Sequence, residues 1–413
     1  MLHVLIALGL LLGLGTGLLA AATGSELLTA IAAGSAPLGT VFMNAIRMVV
    51  IPLVMAVIFT GVAKLGDPRK LGRLSGLTLG FFWITVIPAI VIGMGTMWWG
   101  LRFTPDLVAP AAAAREALEL PGFVDFLVSL IPSNPFAAAS SGQLLPLIVF
   151  TALFAAATGT LSQQHRDTLV GLADSVSEAL IKLVWWILWT APIGVFGLAA
   201  PVTAELGWDL VVSLAVLVVS VIVGLAIFIG VVYLPLLRFV GGVSPLKFVS
   251  SVFGAASIAF STTSTVAALP VTLEETKGNL GVADPVADLV LPLGASMYRA
   301  GTALFQGAAI VFLADLFDVP FPMAAVGGAI LATFLVSLTV APVPSSGVIT
   351  LAPALDAVGI PLSGLAILLG IDRIPDMFRS TTNLLGQITT SVLVDRWVGE
   401  GSSDSPDALG PDD

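Results

Sequence analysis

Four ionisable side chains crowd into residues 372–379 of the stretch GIDRIPDMFRSTTNLLGQ: Asp372, Arg373, Asp376 and Arg379. Only 10% of the chain is charged, and apolar runs flank this stretch on both sides. At about 100° per helical residue, Asp372, Asp376, Arg379 and Asn383 fall within about 60° of one another, whereas Arg373 points about 100° away from Asp372. An ionised side chain at mid-helix in a membrane costs about 2.5–3.5 kcal/mol on insertion scales, so four facing lipid would cost roughly 10 kcal/mol. The stripe must face protein or a polar cavity. Pairing of Asp372 or Asp376 with Arg379 is the structural reading, and it suits Asp372 best. For Arg379 a ligand is the better reading, because a guanidinium among hydroxyls is a planar fork for a carboxylate. Asp376, one turn away, would accept from an ammonium. With Asn383 and hydroxyls between them, the pair suits a zwitterion that carries an extra carboxylate.

The elements that hold this stripe are membrane segments. Of 413 residues 57% are hydrophobic, and the mean hydropathy is +1.06, far from the balance of a soluble protein. Uncharged stretches long enough for a hydrocarbon core of about 30 Å recur from end to end, with no soluble domain between them. The first, LHVLIALGLLLGLGTGLLAAATGS, is read as a membrane helix and not a signal peptide, since no Lys or Arg precedes its apolar run. The absence of cysteine excludes disulfides, thiolate metal sites and cysteine nucleophiles. His3 sits at a terminus and His165 beside a loop arginine, so neither is read as a ligand or base. An intramembrane serine protease would need a histidine in reach, and an aspartyl protease acids on two facing helices; Asp372 and Asp376 share one. An enzyme is therefore not expected. The net charge of −10 is partly carried by the acidic tail GEGSSDSPDALGPDD (399–413), read as disordered.

Hydropathy and loop charges predict helices near 2–21, 40–64, 76–100, 143–161, 176–204 and 208–239. Basic residues of the 64–73 loop, with Arg166, Arg238 and Lys247, fall on one side, and Arg102 and Arg115 on the other. The positive-inside rule makes the N-terminus cytoplasmic, and the C-terminus follows. Beyond residue 240 the segments shorten. Residues 244–277 read as two apolar halves around STTSTVAALP, with Lys247 and Lys277 at the ends, so the chain enters and returns without crossing. Residues 320–357 repeat the design around VAPVPSSG, flanked by Asp315, Asp318 and Asp356, which places that hairpin on the opposite side. Each hairpin precedes an interrupted helix, at 291–307 and 370–387. Such inverted repeats build a midplane site in secondary transporters. Backbone left unpaired at the two tips would serve a small polar solute, and half-helix N-termini favour an anion.

The residues NAIRMVVIPLV (44–54), IPSNPF and GQLLPLIVF (131–150), APIGVFGL (191–198), the Ser/Thr tip before LPVT (269–272), LPLGA with GTALFQG, and DMFRSTTN (376–383) resemble the glutamate transporter family of dicarboxylate and amino acid:cation symporters over nearly the whole chain. The resemblance implies an all-α polytopic membrane protein with eight transmembrane helices, two re-entrant hairpins and inverted repeats. It implies a homotrimer in a bacterial or archaeal inner membrane that works as an elevator, with residues 1–75 and 106–205 as scaffold and 76–105 and 206–398 as transport domain. It implies that Arg379 binds a side-chain carboxylate and Asp376 the amino group, that Asn383 and Ser380 meet the main-chain end near Thr302, and that Thr263 and Thr265 face Val343 and Gly347 from the two tips. C4-dicarboxylate carriers of the family lack an acid at the position of Asp376, so aspartate or glutamate leads over a C4-dicarboxylate or another amino acid, and an anion channel is the rival of another class. Neither a cofactor nor a nucleic acid partner is expected.

Departures from the family pattern concern sodium. Where sodium-coupled members carry Asn-Met-Asp-Gly-Thr, this chain has Tyr298, Arg299, Ala300, Gly301 and Thr302; the acid expected near the end of the last helix is Gln387; a Thr/Ser pair appears as Thr85 and Val86. Hard cations need oxygen ligands, so at least two sodium sites are expected to be lost. Arg299 either pairs with Asp372 or supplies sodium's positive charge at the helix break. Coupling to protons, uniport and exchange all stay open.

Overall fold

Uninterrupted apolar sequence makes the first helix, α1 (Leu2–Thr23). It stops at Gly24, whose φ of +58° and N–H bond to the Ala20 carbonyl form a left-handed helix end. The computed structural model of the chain describes residues 2–64, 73–106, 128, 130–141, 144–337, 340 and 345–402; these contain helices and no strand. The basic loop at 65–72, Val343 and the tail beyond 402 lie outside the described residues.

Two helices start earlier than hydropathy predicts. α2 (Glu26–Lys64) begins at Glu26 and not near 40, running through Pro37 and Pro52. α6 (Gln163–Leu206) begins at Gln163 and not near 176, its polar first turns lying on the surface. Packing carries α2 through its weak stretch: Gly39 lies against Leu198, and Gly197 against the Ser35 carbonyl. α6 bends by 53° between Ile187 and Trp189. The bend falls four residues before Pro192, where a proline ring meets the carbonyl of the preceding turn. α4 (Pro135–Ser140) is capped by Asn134, which accepts from Phe136 and Ala137; α5 (Leu144–Gly159) follows. α1, α2, α5 and α6 pack on one another.

The second group forms around α12. α3 (Arg73–Gly100) and α7 (Trp208–Phe228), which continues in wider π-helical turns to Val240, both pack against it. The first hairpin comprises α8 (Pro245–Ser251), α9 (Phe253–Thr262) and α10 (Thr265–Gly278). The Glu275 carboxylate accepts from the N–H groups of Gly254 and Ala255 at 3.1 and 2.9 Å, capping α9, while Asn279 donates to the Ser251 carbonyl that ends α8. At the tip Thr263 is left-handed (φ +56°) and Ser264 caps α10 by accepting from Ala267. A run of Ser and Thr suits this site because their hydroxyls substitute for missing helix partners.

α11 (Asp284–Met297) and α12 (Ala300–Leu316) are separated by a true break, with Tyr298 extended and Arg299 at φ −138°, ψ 35°. Every residue of α12 except Asp315 is buried. α3 meets it closely: a Cβ on Gly93 would strike the Leu304 carbonyl, and one on Gly307 the Ile90 carbonyl, the small-residue contact that lets membrane helices approach. The second hairpin has α13 (Met323–Ser337) packed on α15 (Ala352–Ala357), with the short α14 (Ser346–Ile349) between. α16 (Gly364–Ile371) and α17 (Arg373–Ser402) close the fold. Here the expected interruption is slight: Asp372 keeps helical angles, and its carbonyl accepts from Asp376 at 2.8 Å. α17 also stays helical to Ser402, past the point where a disordered tail was expected to begin. α16 touches α1 and α6, with Gly370 against Leu10, joining the two groups. Gly76–Phe103, Trp208–Val240 and Asp284–Leu316 are each long and apolar enough to cross a membrane.

Candidate functional site

The two hairpins, the α11/α12 break and α17 meet at one cavity. Thr263 and Thr265 line it from the first hairpin, Arg299 and Thr302 from the break, Gly347 from the second hairpin, and Asp376, Ser380 and Asn383 from α17. Eight of the residues singled out in the sequence thus share one wall system. Ser264, Val340 and Ser346 also line it; their position beside the tips was the signal that could have found them. Val343 lies outside the described residues. The cavity measures only about 20 Å³, room for about one water, against about 300 Å³ or more for a ligand pocket.

Arg379 lies behind this cavity and does not line it. Its Nη2 is 2.8 Å from Asp372 Oδ1 and 2.8 Å from Asp376 Oδ1, and its guanidinium carbon sits 4.2 Å from the centroid of the Phe305 ring. Arg379 and Asp372 are each 1% exposed and Asp376 13%. Nη2 donates to Asp376 and meets Asp372 as an ion pair, while Nε and Nη1 make no hydrogen bond among the described residues. Nη1 lies beside Gly347, 3.4 Å from where a Cβ would stand. Asp372 takes the structural position expected of it.

Asn383 spans to the start of α12. Its Oδ1 accepts from the Gly301 N–H at 2.8 Å and its Nδ2 donates to Thr302 Oγ1 at 3.3 Å, so the amide satisfies an otherwise unpaired N–H of the first turn. One turn on, Gln306 donates from Nε2 to the Gly347 carbonyl at 2.9 Å and to Thr350 Oγ1 at 3.2 Å, tying α12 to the second hairpin. Sequence reasoning passed over Gln306, although it is the one amide in the apolar run of α12.

Arg299 folds back over the break it follows. Nη1 donates to the Tyr298 carbonyl and Nη2 to the Ala295 carbonyl, both at 2.9 Å. The Ala295 carbonyl also accepts from Thr265 Oγ1 at 3.1 Å. The guanidinium thus occupies carbonyls that the interrupted helix frees, while Asp372 has Arg379 as its ion-pair partner. Tyr298 points the other way: its hydroxyl lies 2.9 Å from Thr85 Oγ1 and 2.8 Å from Tyr233 Oη, and its ring packs on Phe82. Tyr233, missed in the sequence, completes a buried chain of three hydroxyls. A Cβ at Gly386 would strike both tyrosines, and Gly294 abuts Gln387, so the region between α3, α11 and α17 is filled by side chains. Arg373, for which the sequence suggested no role, donates to Thr263 Oγ1 and to the Ser261 carbonyl.

Comparison with known proteins gives the family. The family model described as "Sodium:dicarboxylate symporter family" matches residues 2–397. The chain is 32% identical over 407 residues to a C4-dicarboxylate transport protein of Anaeromyxobacter sp. (strain K), covering 97% of this chain and 90% of the relative. It is 30% identical to the proton/sodium-glutamate symport protein of Geobacillus stearothermophilus, covering 88% of each. It is 29% identical to the proton/glutamate-aspartate symporter of Escherichia coli (strain K12), covering 87% of this chain and 84% of the relative. These relatives are named as transporters of small acidic solutes, and none as an enzyme. A chain whose described residues form helices and no strand, with several membrane-length apolar helices, and which the family model matches over almost its full length, belongs to the sodium:dicarboxylate symporter family.

Proposed function

We propose that this chain is a secondary transporter of acidic amino acids, aspartate or glutamate, with sodium coupling lost or reduced. The observation that carries the reading is the pairing of Arg379, just behind the cavity, with Asp376: among the described residues the guanidinium keeps Nε and Nη1 without hydrogen bonds, and the acid lines the cavity. A carboxylate drawn to those two nitrogens would have the geometry of a fork-to-fork pair. Asp376, relieved of Arg379, would take an ammonium. Ser380, Asn383, Thr302, Thr263, Thr265 and Gly347 would supply the remaining polar contacts, and Val343 is kept as a candidate from the second tip.

Arg299 supports the ion reading. Its charge lies on the Ala295 and Tyr298 carbonyls, oxygens of the kind a hard cation coordinates, and the three-hydroxyl chain fills the neighbouring space. We assign α1, α2 and α4–α6 to a scaffold and α3 with α7–α17 to a moving transport domain, in a membrane protein of eight spanning helices and two hairpins that assembles as a trimer. Coupling to protons and exchange both fit.

A C4-dicarboxylate carrier is the second reading, favoured by the name of the Anaeromyxobacter relative. Uptake of labelled L-aspartate into proteoliposomes, with choline replacing sodium and succinate as competitor, separates the two. Uptake without sodium and weak competition by succinate are expected. A strict sodium requirement would remove the ion reading, and succinate displacing aspartate at equal concentration would remove the specificity assigned to Asp376.

A further inference from the structure

Arg373 is the one charge of the 372–379 cluster that faces away from the cavity stripe, yet it touches the cavity's wall. It opens α17 and reaches over to the first hairpin, donating from Nη1 to Thr263 Oγ1 at 2.9 Å and from Nη2 to the Ser261 carbonyl at 2.9 Å. Both acceptors belong to the end of α9. Ser261 lies in its last turn, whose carbonyls have no partner within the helix, and a cation there also meets the negative end of the helix dipole.

Thr263 is an unusual residue to hold. It adopts φ +56° and ψ 32°, a left-handed conformation that a β-branched residue seldom takes and that stores strain. Its side chain lines the cavity and its hydroxyl donates to the Thr262 carbonyl at 2.7 Å. The tip is therefore kept in a strained shape by contacts that include a guanidinium from the opposite wall. Ser261 is exposed and Arg373 half-buried, so water can replace these two bonds when they part. Asp372 and Arg379, both fully buried, have no such freedom.

We infer that Arg373 is a latch: it fastens the tip of the first hairpin to α17, and the cavity opens on that side when the two hydrogen bonds to Thr263 and Ser261 release. Arg373 is a positioning residue, since it touches the tip and not the solute. Its loss would favour the open tip and weaken retention of solute without removing any group that would bind it. The inference rests on the transporter reading only for its uptake measurements.

The chain has no cysteine, so a single introduced thiol reports cleanly. Ser380 lies on α17 behind the tip, lining the cavity at 7% exposure. In purified, detergent-solubilised protein carrying Ser380→Cys, the rate of modification by a charged thiol reagent should rise about tenfold when Arg373→Gln is added and recover part of the way with Arg373→Lys, which restores one donor. Thr263→Ala, which removes the acceptor and leaves α17 intact, should raise it as well and serves if Arg373→Gln fails to fold. In liposomes, with Ser380 unchanged, Arg373→Gln should raise the KM for aspartate several-fold while the maximal rate stays equal or increases. Equal labelling rates in folded Arg373→Gln and its Arg373 parent would overturn the latch. Faster labelling in a protein that moves no aspartate would support the latch and overturn the substrate reading instead.

Discussion

Asp372 and Arg379 form an ion pair 2.8 Å across in which each side chain is 1% exposed. Taking two charges out of water is costly unless they meet, and removing one partner of such a pair costs about 3–5 kcal/mol because the other is stranded. Asp372→Ala should lower stability by that order, read as a large fall in the thermal unfolding midpoint in detergent. Asp372→Asn, which keeps the shape and an acceptor, should fall less. An unchanged midpoint in the alanine variant would contradict the structural role.

Asp376 shares the same nitrogen but stands at the cavity, 13% exposed. If it receives an ammonium, replacing it removes one charge-assisted hydrogen bond, worth about 1.5–3 kcal/mol. Asp376→Ser should weaken aspartate binding about tenfold to a hundredfold and let succinate compete more strongly. Competition uptake with both solutes reads this directly, and an equal loss for both would argue against selective recognition of the amino group.

Arg299 tests the ion question. Arg299→Met takes the guanidinium from the Tyr298 and Ala295 carbonyls and leaves the latter with Thr265 Oγ1. Aspartate binding measured by calorimetry in choline buffer should weaken by about tenfold or more. The same affinity in the variant would show that the break holds its shape without the guanidinium.

Glu275 caps α9 through two backbone N–H groups, Gly254 and Ala255. Its removal should destabilise the first hairpin by about 1–2 kcal/mol, the range of helix caps. Limited proteolysis of Glu275→Ala should then cut within residues 244–278 sooner than in the parent. Glu275→Gln, which keeps one acceptor, should lie between them.

Much of the site was legible because its cost is local. A charge in an apolar run must face something polar, and a run of Ser, Thr, Pro and Gly between apolar halves must turn; both follow from residue type and spacing. This is why Asp376 and Asn383 could be named from spacing and the two tips placed, whereas Ser380, Thr263, Thr265, Thr302 and Gly347 were named through the family resemblance; all of them line one cavity. The helix stripe even set Arg373 apart from its neighbours. Helix starts were less legible. α2 and α6 run on through proline and polar turns because contacts with each other hold them, and hydropathy does not measure contacts.

What the sequence determined by itself is the solvent and the inventory: a chain for a membrane, two hairpins, a polar stripe, and a helix interruption that carries Arg299. Tertiary structure decided the pairings. The stripe already offered Arg379 the acids Asp372 and Asp376, but only the packing of α17 against α12 and the first hairpin sent Arg373 to Thr263 and left Arg299 to turn back on its own helix break. Hydrogen bonds and ion pairs act over about 3 Å, and sequence alone does not fix distances on that scale between segments more than one hundred residues apart, such as Arg373 and Thr263.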